Sequence, residues 1–216
     1  MHRILAPLVL SFLAACGALP NAADPASDAP EGPRPHAAAF KDAPSYKQAL
    51  QLWRTPEDVN AWIGAKFRYD MPRAMRLSES QRHRSGPLPI HPPQEFFADP
   101  SGVCVDLSRF AVETLRQIEP AVNAGYLMIE FEPVTMAGNT LRRHWLAFFV
   151  RDGGYYFFAD SKRPGVLAGP YAGPAAFIAE DAAYRNRQIV GFREVGSYQR
   201  QQRTMAGKRS REKQNP

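Results

Sequence analysis

Gly102-Val103-Cys104-Val105-Asp106-Leu107-Ser108-Arg109-Phe110 (GVCVDLSRF) is the stretch on which the reading of this 216-residue chain turns. Val103, Leu107, Phe110, Ala111, Thr114, Leu115 and Ile118 recur at three- and four-residue steps, which predicts a helix with one buried face. Just upstream, Asp99-Pro100-Ser101-Gly102 is a cluster of turn and capping residues expected to start that helix. Cys104 then stands at the front edge of the helix, beside unpaired backbone N–H groups and the positive end of the dipole. That setting favours negative charge on sulfur. Asp106 on the first turn complements the same dipole, with Arg109 as its expected partner. Two readings of the thiol stand at this point, a buried structural cysteine or a nucleophile.

The ends of the chain bear on that choice. His2-Arg3 precede an apolar run from Ile4 to Ala15, the length of a secretory h-region and too short to span a bilayer. The run closes on Leu13-Ala14-Ala15-Cys16-Gly17, which resembles a bacterial lipobox. The resemblance implies a signal peptide over 1–15, cleavage before Cys16 and lipidation of Cys16. The protein would then be anchored in the bacterial envelope facing the periplasm, with Gly17 favouring the outer membrane. Residues 16–44, rich in Ala, Pro, Asp and Gly, read as a disordered tether. From Gln199 to Pro216 the chain is polar and basic without apolar period, a disordered tail that carries most of the formal charge of +6. The remainder is close to neutral, and no basic stripe with interleaved aromatics points to nucleic acid.

With Cys16 lipidated, Cys104 has no disulfide partner, because the chain holds 2 cysteines. An unpaired thiol in an oxidising compartment is a liability unless buried or used. A cysteine-rich zinc site is excluded, no pair of histidines has ligand spacing, and no metal or other cofactor is expected.

Residues 45–198 are expected to form one domain. Helices are predicted over Tyr46 to Trp53, from Thr55-Pro56 to about Phe67, at Pro92 to Phe97, and over about Pro174 to Tyr184. Trp53 and Trp62 read as core. Arg68 to His91 reads as a long irregular loop, with His83 exposed. Strands are predicted at Tyr126 to Glu132, His144 to Val150, Tyr155 to Asp160 and Gln188 to Val195, with Pro133 to Thr140 as a loop. Helices followed by antiparallel strands make an α+β fold.

His144 opens one strand and Asp160 closes the next. Counted outward from the turn at Asp152-Gly153-Gly154, the two fall at nearly the same height, a geometric reason for their side chains to be neighbours. A cysteine nucleophile needs such a base and a third group to orient it.

Cysteine at a helix N-terminus, then histidine and aspartate on successive strands, resembles the transglutaminase-like superfamily. The matching pieces are GVCVDLSRF, HWLAFF and YYFFADSKRPG, and PPQEFFADPSGVCVD is similar to bacterial transglutaminase-like cysteine peptidases. The resemblance implies a papain/transglutaminase-like fold with Cys104 as nucleophile, His144 as base and Asp160 as orienter. The Cys104 N–H is the expected oxyanion donor, with Gln94 or Ser101 as second donors. Where those peptidases often carry Gly-Asp-Cys-Glu-Asp, this chain has Gly102-Val103-Cys104-Val105-Asp106, which leaves Asp99 and Asp106 as the acidic candidates for calcium. The expected activity is hydrolysis of a peptide or amide bond in a peptide or protein substrate through a thioester. Transglutaminase-type acyl transfer, or a non-catalytic binding module on the same fold, are the alternatives.

Overall fold

Side chains on a strand point alternately to opposite sides, so an unbroken apolar run such as Leu146-Ala147-Phe148-Phe149 suits a strand covered on both faces. The computed structural model describes residues 28–31, 40–85 and 88–198. The leader 1–15, Cys16 and the tail 199–216 lie outside the described residues. The first half runs α1 (Tyr46–Leu52), α2 (Pro56–Lys66), β1 (Arg68–Tyr69), α3 (Met71–Leu77), α4 (Glu79–Ser85), α5 (Pro93–Ala98), β2 (Ser101–Gly102) and α6 (Cys104–Ile118). The second runs β3 (Gly125–Met136), β4 (Asn139–Arg151), β5 (Gly154–Phe158), β6 (Ala168–Tyr171), α7 (Pro174–Arg185) and β7 (Ile189–Val195). The last five strands form one antiparallel sheet in the order β6-β5-β4-β3-β7, with β4 at its centre.

Alternation on β4 sorts the core. Ala147 and Phe149 join α1, α2, α5 and α6 in one cluster, in which Trp53, Trp62 and Phe110 are buried. Leu146 and Phe148 join Phe177 and Ile178 of α7 on the other face. Aromatic rings fill the helical side, with Trp62 stacked on Phe97 at 4.9 Å between centroids. The fold is thus α+β, with helices on both faces of the sheet.

Helix α6 buries the expected face, including Leu107, Phe110, Ala111, Thr114 and Leu115. Its cap differs from expectation. Val103 has no side-chain oxygen, so Asp106 reaches back from the third helical position and accepts the Val103 N–H at 3.0 Å. Asp99 instead pairs with Arg68 at the surface, 2.6 Å away, while Ser101-Gly102 pairs in parallel with Arg68-Tyr69. Nor does Arg109 meet Asp106: it bonds Glu113 at 2.8 Å. The partner of Asp106 is Arg73, whose Nε and Nη2 each donate at 2.7 Å, and the His91 N–H adds a further bond at 3.0 Å. One buried carboxylate thereby ties together α3, the 88–91 segment and the start of α6.

Three other expectations are corrected. The stretch 68–91 is not a loop throughout, since it carries β1, α3 and α4. Helix α4 buries no residue, so there was no apolar period to detect. The stretch 133–140 is mostly strand, with a tight turn at Ala137 (φ 47°) and Gly138 (φ 73°). At the tip of that hairpin the Thr140 N–H donates to Ser80 Oγ at 2.7 Å. Finally, part of the stretch assigned to the tether packs on the domain. Phe40 and Ala43 meet the first cluster, Trp53 Nε1 donates to the Lys41 carbonyl at 2.9 Å, and the Glu31 N–H donates to the Lys162 carbonyl at 3.2 Å.

Asp106→Ala leaves the buried Arg73 guanidinium without its counter-charge and the Val103 N–H without an acceptor. The expected loss, read from urea unfolding, is about 3–5 kcal/mol. Glu113→Ala, which breaks the more exposed pair with Arg109, is expected to cost about 1 kcal/mol or less.

Candidate active site

Cys104 is the first residue of α6, buried and held there by the packing of Leu107, Phe110 and Ala111 below it. His144 lies on β4 opposite Ile129 of β3. Strand β5 pairs with β4 only from Arg151↔Gly154 to Ala147↔Phe158. Ala159 then turns off with φ 56°, so Asp160 lies just past the strand rather than on it, as the sequence had suggested. The departure leaves the His144 end of β4 free of a β5 partner and lets the 159–163 segment fold over it. Asp160 Oδ1 comes to 3.1 Å from His144 Nε2, across 16 positions of sequence. Next to His144 Nδ1, at 3.1 Å, lies Asp28 Oδ1, though the approach lacks the alignment of a hydrogen bond. Cys104 Sγ, a ring nitrogen of His144 and an oxygen of Asp28 all lie within 4.8 Å of one another.

Sequence reasoning did not find Arg185, yet this residue organises the site. Its Nη2 donates to Asp160 Oδ1 at 2.8 Å and lies 2.9 Å from His144 Nε2; its Nη1 donates to Asp28 Oδ1 at 3.0 Å. Its Nε is shared between both oxygens of Asp181, at 3.1 and 2.9 Å. Asp160 also accepts the Lys162 N–H at 2.9 Å and Arg163 Nε at 3.3 Å. Because an ionised carboxylate can only accept, the Asp160 contact favours a proton on His144 Nε2. With Nη2 committed to Asp160, Nε2 carries the proton and donates it to the same carboxylate. Nδ1 is then the nitrogen nearer Asp28.

Charge explains the protonation of the cluster. Burial disfavours ionised Asp160, but Arg185 and His144 outweigh it and hold the carboxyl well below its usual range. Asp28 is lowered too, its partial burial outweighed by His144 and Arg185. His144 is pushed the other way: burial and Arg185 oppose a positive ring, and the carboxylates of Asp28 and Asp160 overcome them, raising it well above the usual histidine range. Burial raises Asp181 despite the compensating charge of Arg185. Three carboxylates (Asp28, Asp160, Asp181) face two guanidinium groups (Arg163, Arg185), so a proton on His144 brings the group to neutrality.

Cys104 opens onto a cavity of about 1400 Å³ between α3, the 88–90 segment and the sheet. Tyr69, Asp28, Arg109, Arg143 and Trp145 line it. Tyr69 has its hydroxyl pKa raised by burial and by the negative groups at Asp28 and Cys104. Gln94, exposed on α5, and Ser101 are not among the lining residues. Asp99 and Asp106 are both engaged by arginine. Asp28, Cys104 and His144 together offer a donor set that would suit a zinc ion. The Arg185 guanidinium beside them places positive charge against a dication.

No protein-family model matches the chain, and comparison with curated proteins finds no match. The classification therefore rests on the site. A cysteine at a helix N-terminus, with histidine on an antiparallel sheet and aspartate beside it, is a papain/transglutaminase-like arrangement. It is consistent with a cysteine hydrolase of that broad superfamily and with catalytic potential in general, without singling out a family.

The pH dependence of stability follows from the shifts. His144, raised in the fold, contributes stability that is complete below about pH 6.5 and is lost as pH climbs through its folded value. Asp160, lowered, contributes above about pH 3.9 and is lost only well into acid. The urea midpoint is therefore expected to fall as pH rises above about 6.5. In Asp28→Asn that alkaline fall should shrink, because the carboxylate that holds the proton on Nδ1 is gone. A midpoint independent of pH from 6 to 10 in both proteins would contradict this assignment.

Proposed function

We propose that the protein is a lipid-anchored cysteine hydrolase of the bacterial envelope that cleaves peptide or amide bonds, with Cys104 as nucleophile, His144 as general base and Asp160 as the residue that orients it. The observation that carries the reading is the position of His144, one nitrogen against Asp160 and the ring within reach of the thiol at the front of α6. The anchor rests on the Leu13-Ala14-Ala15-Cys16 motif.

Asp160 accepts a hydrogen bond from Nε2–H, and Nδ1 holds the proton drawn from Cys104 sulfur in a thiolate–imidazolium pair. The thiolate attacks the carbonyl carbon, forming a C–S bond as negative charge moves to oxygen. The Cys104 N–H, at the first helical position and so without an intrahelical acceptor, faces that charge. Tyr69 is better placed as a second donor than Gln94 or Ser101, since it shares the cavity with the thiol. The tetrahedral adduct collapses, the C–N bond breaks, and His144 returns the proton to the departing amine. Water, deprotonated by His144, then attacks the thioester, releasing a carboxylic acid and regenerating the thiol. Arg185 keeps Asp160 ionised throughout.

Iodoacetamide labelling of Cys104 tests the activated thiol. At pH 6 the protein should label about 10–100-fold faster than His144→Ala, the range expected when an imidazolium stabilises a thiolate that otherwise forms near pH 8.5. Equal rates that both rise only near pH 8.5 would mean a structural cysteine. For any peptide substrate identified by screening, Asp160→Asn is expected to lower kcat by about 10²–10⁴-fold.

A further inference from the structure

Residues 28–31, Asp-Ala-Pro-Glu, lie across one side of the site, and their contacts are those a bound peptide makes. Main-chain groups are engaged first: Ser161 Oγ donates to the Asp28 carbonyl at 2.8 Å, and the Glu31 N–H donates to the Lys162 carbonyl at 3.2 Å. Each acidic side chain then meets its own cationic partner. Asp28 sits 3.0 Å from Arg185 and 3.1 Å from His144. Glu31 takes Lys162 Nζ at 2.6 Å on one oxygen and the Tyr184 hydroxyl at 2.7 Å on the other. Lys162 and Arg185 are almost wholly buried, and each meets an acidic side chain of this segment. Tyr184 is itself backed by the Arg163 guanidinium, 4.1 Å from its ring. The groups that do the gripping come from the 160–163 segment and the end of α7, the same pieces that hold Asp160.

We infer that Ser161, Lys162, Tyr184 and Arg185 form a substrate subsite for an extended acidic peptide, with one carboxylate beside the catalytic cysteine and a second three residues further on, and that Asp28–Glu31 is an intramolecular occupant of it. The inference rests on the hydrolase reading for the word substrate, but the binding of an acidic peptide stands apart from it. Asp28 lies beside Cys104 and His144, where an incoming acyl group must pass. A substrate therefore has to displace the segment, and its own carboxylate restores the charge balance that Asp28 leaves behind. Main-chain pairing supplies affinity and the two acidic pockets supply selectivity, as in other recognition of extended peptides.

The probe is a fluorescein-labelled Asp-Ala-Pro-Glu peptide, followed by anisotropy, against the full chain and its Asp28→Asn/Glu31→Gln variant. Stronger binding to the variant than to the parent, by tenfold or more, is expected, together with a tenfold loss for the Asn-Ala-Pro-Gln peptide. Tyr184→Phe, placed in the variant background, removes a single oxygen and should weaken the peptide severalfold while leaving the circular dichroism spectrum unchanged. Failure of the acidic peptide to bind the folded variant, or equal binding of the acidic and amide peptides, overturns the subsite. The same samples are labelled with iodoacetamide. A reactive Cys104 without peptide binding removes the subsite and spares the hydrolase, whereas binding that persists in a sample with an inert thiol supports the subsite and removes the hydrolase.

Discussion

The guanidinium of Arg185 is the joint of this molecule's polar interior. From the last turn of α7 it reaches Asp28, Asp160, Asp181 and the ring of His144, all within about 3 Å. A buried arginine is tolerated only where its donors are met and its charge is balanced, and here the counter-charge comes from carboxylates in three different parts of the chain, with His144 held against Asp160 beside them. The helix, the segment after β5, the central strand and the 28–31 segment are fixed relative to one another by that requirement. The imidazole acquires its orientation as a consequence, since the acceptor-only Asp160 carboxylate that Arg185 holds in place favours the proton on Nε2.

A second buried pair does the corresponding work for the thiol. Asp106 and Arg73 lock the first turn of α6 to α3 and to the 88–91 segment. The position of the thiol is thereby set by electrostatics at the start of α6 and by apolar packing along the helix. Two separate ion-pair systems meet at the cysteine, one placing sulfur and the other placing the ring. The cavity lies on the side where neither system closes the surface.

Much of this was legible in the sequence where periodicity and turn geometry speak. The face of α6 could be counted, and the turn at Asp152-Gly153-Gly154 put His144 and Asp160 at one height because a hairpin's register is set from its turn. What could not be counted was missed for physical reasons. Ala159 adopts a left-handed conformation that nothing in its side chain announces. Helices α3 and α4 are short, and α4 is wholly polar; they are stabilised by an Asp70 cap and by contacts to a distant hairpin. Arg185 and Asp181 have the spacing of an ordinary surface i,i+4 pair, and only tertiary burial turns them into part of the site. Asp28 sits in a stretch rich in alanine and proline with no pattern at all, and its partners lie more than a hundred positions away.

The seating of Asp28–Glu31 has a kinetic side. Eight residues, 32–39, join it to Phe40, so the segment is never diluted: covalent connection fixes its effective concentration beside the site, whatever the concentration of protein. On the proposed reading, any peptide arriving from solution competes with a ligand that, once displaced, stays attached to the same chain. Weak acidic ligands would be turned away even when abundant, and apparent affinities would be lower than the pocket's intrinsic ones by the ratio of that local concentration to the segment's own dissociation constant. Selection at such a site would favour chains that place carboxylates against both Arg185 and Lys162, as the segment itself does.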